Sequence, residues 1–173
     1  MNDYRERLKN IRQFIFDYDG VLSDGKIIFS DDGQQMRNGH VRDGYAIQLA
    51  QKLGLSVALI SGANTPGMQH RCKLLNIEDI FLGIHNKIEI YEQFKKDRNL
   101  TDEVILYMGD DIPDFQIMKK AGIACCPADA AKDILNISHY ISYLKGGEGC
   151  VRDVIEQVLR AQEKWLTPEA FTW

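Results

Sequence analysis

The stretch Phe14-Ile15-Phe16-Asp17-Tyr18-Asp19-Gly20-Val21 decides how the rest of the chain is read. An apolar run stops at two carboxylates one residue apart, and a glycine follows. Such a run reads as a buried parallel strand, and open α/β sheets bind ligands beyond the carboxyl ends of their strands. Asp17 and Asp19 therefore leave the sheet where chemistry is done. Side chains two apart on a strand share a face, while Gly20 permits a turn that splays them. Taken alone, Asp-Tyr-Asp-Gly reads more simply as a solvated turn. The later strand ends decide between the two.

Working outward, residues 1–10 are a polar lead-in with room for one helical turn, and Ile11 to Asp17 is the first strand. Lys26-Ile27-Ile28-Phe29-Ser30, the turn Asp31-Asp32-Gly33 and Gln34-Gln35-Met36-Arg37 form a hairpin signal within 21–40. Apolar residues at helical spacing predict a helix from Asp43 to Leu53, closed by Gly54. Strands follow at Leu55–Ile60, Asp79–Leu82, Glu103–Met108 and Ile123–Cys126, with an edge strand at His139–Ser142. Helices are expected at Thr65–Leu75, Lys87–Lys96, Pro113–Ala121, Ala130–Leu135 and Val151–Trp165. This alternation predicts an α/β fold: a doubly wound, mainly parallel, Rossmann-like sheet with helices on both faces and a small projecting β-hairpin. The 173 residues are expected to form a single domain, 1–173, with 166–173 as a tail.

Composition narrows the class further. A hydrophobic fraction of 45% with 27% charged residues is that of an ordinary globular protein. The net charge of −4 gives no reason to expect nucleic acid as a partner, and no apolar stretch reaches membrane-spanning length. The polar start Met1-Asn2-Asp3-Tyr4 is not a secretory signal. Cys72, Cys125, Cys126 and Cys150 have no metal-ligand spacing and read as buried thiols in a reducing compartment, so a cytoplasmic location is expected.

Three strand ends converge on one edge of the predicted sheet: Asp17 and Asp19, Ser61-Gly62, and Asp110-Asp111 with Asp114 a turn beyond. The helix opening at Lys87 starts there too. Each has a plain structural reading: Gly109-Asp110-Asp111 as a turn and helix cap, Ser61 as a turn hydroxyl, Lys87 as a solvated residue. Gathered at one edge, the carboxylates would repel one another without a cation. An oxygen-only set suits Mg²⁺, which keeps several waters and takes a substrate phosphate as a further ligand.

In this order, Phe16-Asp17-Tyr18-Asp19-Gly20-Val21, Leu59-Ile60-Ser61-Gly62, Lys87 and Gly109-Asp110-Asp111 resemble the four motifs of the haloacid dehalogenase-like phosphatases. Over about residues 11–165 the likeness sharpens. Gly20-Val21-Leu22-Ser23-Asp24-Gly25, Val41-Arg42-Asp43-Gly44-Tyr45, Ile112-Pro113-Asp114 and Gly146-Gly147-Glu148-Gly149 resemble the capless branch that hydrolyses 3-deoxy-D-manno-octulosonate (KDO) 8-phosphate in lipopolysaccharide precursor synthesis. The resemblance implies no large cap domain. It implies that Asp17 attacks phosphorus to form an aspartyl phosphate and that Asp19 serves as acid and then base. Asp17, the Asp19 carbonyl and Asp110 would hold Mg²⁺, supported by Asp111 and Asp114. Ser61 and Lys87 would hold the phosphoryl oxygens.

The same likeness makes His40, Val41, Arg42, Asp43, Gly44, Gly62 and Arg71 candidates for binding a phosphorylated sugar acid. For Arg42 and Asp43 a surface charge and a helix cap weigh about as much. Ala63 and Gln48 stand where relatives carry basic residues, which leaves the identity of the sugar acid open. His70 and His85 read as surface residues. The resemblance further implies a homotetramer in which hairpins pack together and a neighbour covers each site. Ile27, Ile28 and Phe29 supply the apolar motive. Trp165, Phe171 and Trp173 suit a tail that docks on a neighbour or folds back. The rival readings are a phosphatase of a nine-carbon sialic-type acid 9-phosphate and a non-catalytic binding or assembly domain. A phosphate-receiver module would need an aspartate where Ser61 stands.

Overall fold

In the computed structural model, which describes residues 4–172, β1 (Gln13–Phe16) is the central strand of the sheet. Around it lie β4 (Ser56–Ile60), β5 (Asp79–Phe81), β6 (Ile105–Met108), β7 (Ile123–Cys126) and β8 (Tyr140–Ile141), all parallel, in the order β5-β4-β1-β6-β7-β8. The connections leaving β1 and β6 run to opposite sides, so a crevice opens between the carboxyl ends of these two neighbours. Phe16 pairs with Leu59 on one side and Met108 on the other, and the Asp17 N–H donates to the Met108 carbonyl at 3.0 Å. That register brings the three motif-bearing strand ends level.

Alternation along the strands divides the core in two. Phe14 and Phe16 stack with centroids 5.8 Å apart, on the face covered by α1 (Tyr4–Leu8), α2 (Val41–Lys52), α3 (Pro66–Leu74) and α7 (Cys150–Ala161). Ile15, Ala58, Ile60 and Tyr107 face α4 (Lys87–Arg98), α5 (Phe115–Met118) and α6 (Lys132–Ile137). Thr65 caps α3, accepting from the Met68 N–H at 3.4 Å, with Pro66 at the first helical position. The hairpin is present as β2 (Ile28–Phe29) and β3 (Gln35–Met36), antiparallel, with Ile28, Phe29 and Met36 exposed. The four cysteines are buried and free. No helix among the described residues is long and apolar enough to cross a membrane.

Two expected helices are shorter than the sequence pattern implies. In place of the helix expected over 113–121 the chain makes a tight turn, Ile112–Asp114, and the four-residue α5, after which the Lys120 and Ala121 N–H groups both return to the Ile117 carbonyl at 2.9 Å. The last helix ends at Ala161 rather than Trp165. Glu163 adopts a left-handed φ of 59° and the Lys164 N–H returns to the Leu159 carbonyl at 2.7 Å, a Schellman closure made without glycine. Trp165 then folds against the Arg152 guanidinium, 4.5 Å from its ring centre. The tail turns back over α2: the Tyr45 hydroxyl donates to the Ala170 carbonyl and Lys52 Nζ to the Thr172 carbonyl at 2.9 Å. Phe171 is left exposed. Trp173 lies outside the described residues.

Candidate active site

The crevice is built around one buried ammonium. Lys87, the first residue of α4, places Nζ 2.9 Å from Asp17 Oδ1 and 2.7 Å from Asp114 Oδ1. A cation at a helix N-terminus opposes the helix dipole, so these two carboxylates hold it there. Asp114 is itself fully engaged. Its Oδ1 also accepts from the Tyr107 hydroxyl at 2.6 Å, and its Oδ2 accepts from the Asp110 N–H at 3.2 Å. Asp17, Asp110 and Asp114 each offer a carboxylate oxygen, all within 4.8 Å of one another. Asp114 acts here as a brace for Lys87 and Asp110, while Asp17 and Asp110 keep oxygens for another ligand.

The electrostatics leave the cluster short of positive charge. Burial, reinforced by the charge of Asp114 and opposed by Lys87, raises the pKa of Asp17. Asp110 is pushed up to about 7 by burial, then by Asp114 and Asp111. Burial pulls Lys87 down, but Asp114 and Asp17 outweigh it, and its pKa ends above the usual lysine value. Three carboxylates around one ammonium, with oxygen donors alone, fit a hard divalent cation.

Gly20 makes this geometry possible. It sits at φ 84°, and a methyl group there would fall 2.0 Å from Asp110 Oδ2. From the other side Gly146 packs so closely that its own methyl would fall 2.0 Å from the Gly20 carbonyl. The Gly147 N–H donates to the Val21 carbonyl at 3.0 Å. The Gly146-Gly147-Glu148-Gly149 loop is thus the backing of the loop that carries Asp17 and Asp19.

Asp19 points to the hairpin rather than into the carboxylate cluster. Its Oδ1 accepts from Arg37 Nε at 2.7 Å and from the Ser23 hydroxyl at 3.1 Å. Ser61 is buried at the end of β4, with Oγ accepting from the Ala63 N–H at 3.3 Å and its hydroxyl proton left to donate. Gly62 follows, exposed. Asp111 caps the turn after β6, accepting from the Ile112 N–H at 2.8 Å, and is exposed. The capping reading therefore belongs to Asp111 and the buried one to Asp114.

The substrate candidates divide. Arg71 Nη2 donates to the His40 carbonyl at 3.4 Å and passes so close to Gly44 that a methyl there would lie 2.6 Å from it. Arg71 also lines a groove of about 710 Å³ between the hairpin and the start of α3, together with Tyr18, Arg37 and Thr65. Asp43 faces elsewhere. It is buried, and Oδ1 accepts from the Arg152 N–H at 2.7 Å in the first turn of α7. It does cap a helix, but one more than a hundred residues away (|i−j| = 109). Val41 and Arg42 are exposed, and Arg42 lines a separate cleft beside Tyr143 and Arg152. Gln48 is spent on α3, donating to the Leu74 carbonyl at 3.2 Å. His70 and His85 are exposed.

Two participants carried no motif signal. Tyr107 lies inside the apolar run of β6 and reads as core. Arg37 lies in a polar hairpin and reads as solvated. An aromatic with a polar tip, three residues before the acid that follows its strand, is the one available hint for Tyr107.

No protein-family model matches the chain. The 3-deoxy-D-manno-octulosonate 8-phosphate phosphatase KdsC of Yersinia pestis is 34% identical to it over 163 residues, 94% of this chain and 87% of that protein. The chain belongs to the KDO 8-phosphate phosphatase family. The crystal structure of a family member from Moraxella catarrhalis, in complex with magnesium ion, phosphate ion and KDO, superposes on this phosphatase with a TM-score of 0.92 at 32% identity, covering 95% of each chain. A structure from Legionella pneumophila assigned to the haloacid dehalogenase superfamily (subfamily III A) gives 0.92 at 33% identity, covering 95% of this chain and 90% of that one. The α/β fold of this phosphatase is that of the superfamily.

Proposed function

We propose that this phosphatase is Mg²⁺-dependent and hydrolyses KDO 8-phosphate to KDO and phosphate through an aspartyl phosphate on Asp17, a step in lipopolysaccharide precursor synthesis. The observation that carries this reading is Lys87 joined to Asp17 and Asp114, with Asp110 in the same cluster at the crevice between β1 and β6.

A carboxylate oxygen of Asp17 attacks phosphorus as the ester P–O bond breaks, and Asp19 gives its proton to the departing sugar oxygen. Asp19 then takes a proton from the water that attacks the aspartyl phosphate, which frees phosphate and restores Asp17. The hydroxyl of Ser61 and the ammonium of Lys87 hold the non-bridging oxygens, and Asp114 with Tyr107 keeps Lys87 aimed. Asp17, Asp110 and the Asp19 carbonyl would hold Mg²⁺, which offsets the charge of the transferring phosphoryl group. Arg71, placed beside His40 and Gly44, is the candidate partner for the sugar carboxylate.

The finer reading extends to assembly. Exposed Ile28, Phe29 and Met36 on the hairpin support a homotetramer in which hairpins pack together and a neighbour shields each site from water. Four buried free thiols support a reducing, cytoplasmic setting. Residues 1–173 are read as one domain, because both cores share a single sheet.

The test compares KDO 8-phosphate with a nine-carbon keto-deoxy acid 9-phosphate, each with Mg²⁺ and with EDTA. The expected result is Mg²⁺-dependent turnover favouring the eight-carbon acid. Preference for the longer substrate would replace the assignment. Asp17→Asn should lower kcat at least about 10⁴-fold with the fold intact; residual turnover of a few per cent would remove Asp17 as nucleophile.

A further inference from the structure

We infer that Arg37 is a positioning residue that fixes the carboxyl of Asp19 for proton transfer and ties this step to the hairpin. The inference rests on the phosphatase reading above and adds a residue that no motif contains.

Arginine on a two-stranded surface hairpin ordinarily extends its charged head into water. Arg37 does the reverse. Gln35, Met36 and Asn38 beside it are exposed, yet its side chain is 4% exposed. A guanidinium taken out of water needs a matched anion, and the anion is Asp19, at 2.7 Å from Nε. Ser23 donates to the same oxygen. One carboxyl oxygen of Asp19 is therefore fixed from two directions, and Oδ2 takes no hydrogen bond from the described residues. Oδ2 is the oxygen left to exchange a proton.

Two further features separate this arrangement from an incidental ion pair. Arg37 Nη1 is buried without a hydrogen-bond partner among the described residues, and the residue lines the groove shared with Tyr18 and Arg71. A buried donor left open beside the site is a penalty that a purely structural pair would avoid. Next to it, Asn38 Oδ1 accepts from the Asp24 N–H at 3.0 Å, so the base of the hairpin is stitched to the β1 loop at two successive residues. Asp17 is held by Lys87, and Asp110 through Asp114, while the Asp19 carboxyl is held by Arg37 from the hairpin and by Ser23. The nucleophile and the proton carrier thus have independent supports.

The test is a double-mutant cycle with Arg37→Met, Arg37→Lys, Asp19→Asn and Arg37→Met/Asp19→Asn, assayed with Mg²⁺. KDO 8-phosphate needs its leaving alkoxide protonated, whereas p-nitrophenyl phosphate does not. Arg37→Met should lower kcat on KDO 8-phosphate about 10- to 100-fold with KM nearly unchanged. Release of p-nitrophenolate in a single turnover should be nearly as fast as in wild type. Arg37→Lys should recover much of the loss, and in the Asp19→Asn background Arg37→Met should cost less than about twofold. Additive losses in the double variant, or an effect on KM alone, would overturn the inference and make Arg37 structural or a substrate contact. Wild-type protein inert toward every phosphomonoester would instead refute the phosphatase reading. Should Arg37→Met fail to fold, Arg37→Lys and Arg37→Gln, checked by thermal melting, carry the same comparison.

Discussion

Replacing Lys87 by methionine removes one charge from between two buried carboxylates and leaves the stem's volume roughly intact. Side-chain exposures of 6% for Lys87, 9% for Asp17 and 1% for Asp114 mean that solvent screens little of the effect. At an effective dielectric constant near 20, each contact near 2.8 Å is worth roughly 6 kcal/mol before desolvation. Breaking a buried pair from one side typically costs about 3–5 kcal/mol net. The variant's escape is to bind a proton at Asp17 or Asp114. From an ordinary carboxylate pKa that costs about 4 kcal/mol at pH 7 and about 1.5 kcal/mol at pH 5. The two routes agree near neutrality. Lys87 itself, with its pKa raised, stabilises fully below its unfolded value of 10.5 and loses this only as pH rises through the folded value. It stays charged throughout the window, so the pH dependence of the difference belongs to the carboxylates. Urea unfolding in EDTA should show Lys87→Met destabilised by about 3–5 kcal/mol at pH 7 and by less at pH 5. A loss under about 1 kcal/mol at pH 7, or a larger loss at pH 5, would show that Lys87 is not the counter-charge of this cluster.

Gly20→Ala meets both a left-handed backbone and the Asp110 carboxylate; it should lose about 1–3 kcal/mol of stability and most Mg²⁺ affinity by calorimetry, and wild-type values in both would contradict the packing. His139 Nδ1 accepts from the Ala124 N–H at 2.9 Å, and burial, then Arg7 and Lys119, hold its pKa below the usual 6.5. A depressed folded pKa gives stability that is complete above the unfolded value and lost as pH falls toward the folded one. Wild type should therefore lose more stability than His139→Gln between pH 7 and pH 5, and parallel curves would count against a neutral imidazole held by the Ala124 N–H.

The site was legible where chemistry interrupts an apolar run. Asp17 after Phe14-Ile15-Phe16, Ser61 after Leu59-Ile60 and Asp110 after Tyr107-Met108 stand out because a parallel strand must be apolar until it ends. What stayed hidden depends on long-range geometry. Asp43 has the composition of a local cap and serves α7 instead, which local spacing does not encode. Arg37 shares its exposed neighbours' polarity and differs only in the direction it turns. The end of α7 was missed because Glu163, not a glycine, takes the left-handed turn. The apolar pattern continues to Trp165 for a different reason, its packing over Arg152.

The seating of Gly146 and Gly147 on Gly20 and Val21 has a consequence for synthesis. The Val21 carbonyl takes the Gly147 N–H, and also the Cys150 thiol at a separation of 129 residues, so one wall of the crevice is completed by a segment made long after it. Before that segment is made, the turn after β1 has the hairpin contacts of Arg37 and Asn38 but not the backing of Gly146 and Gly147. The final shape of the loop that carries Asp17 and Asp19 therefore waits for the Gly146-Gly147-Glu148-Gly149 loop to be made and seated.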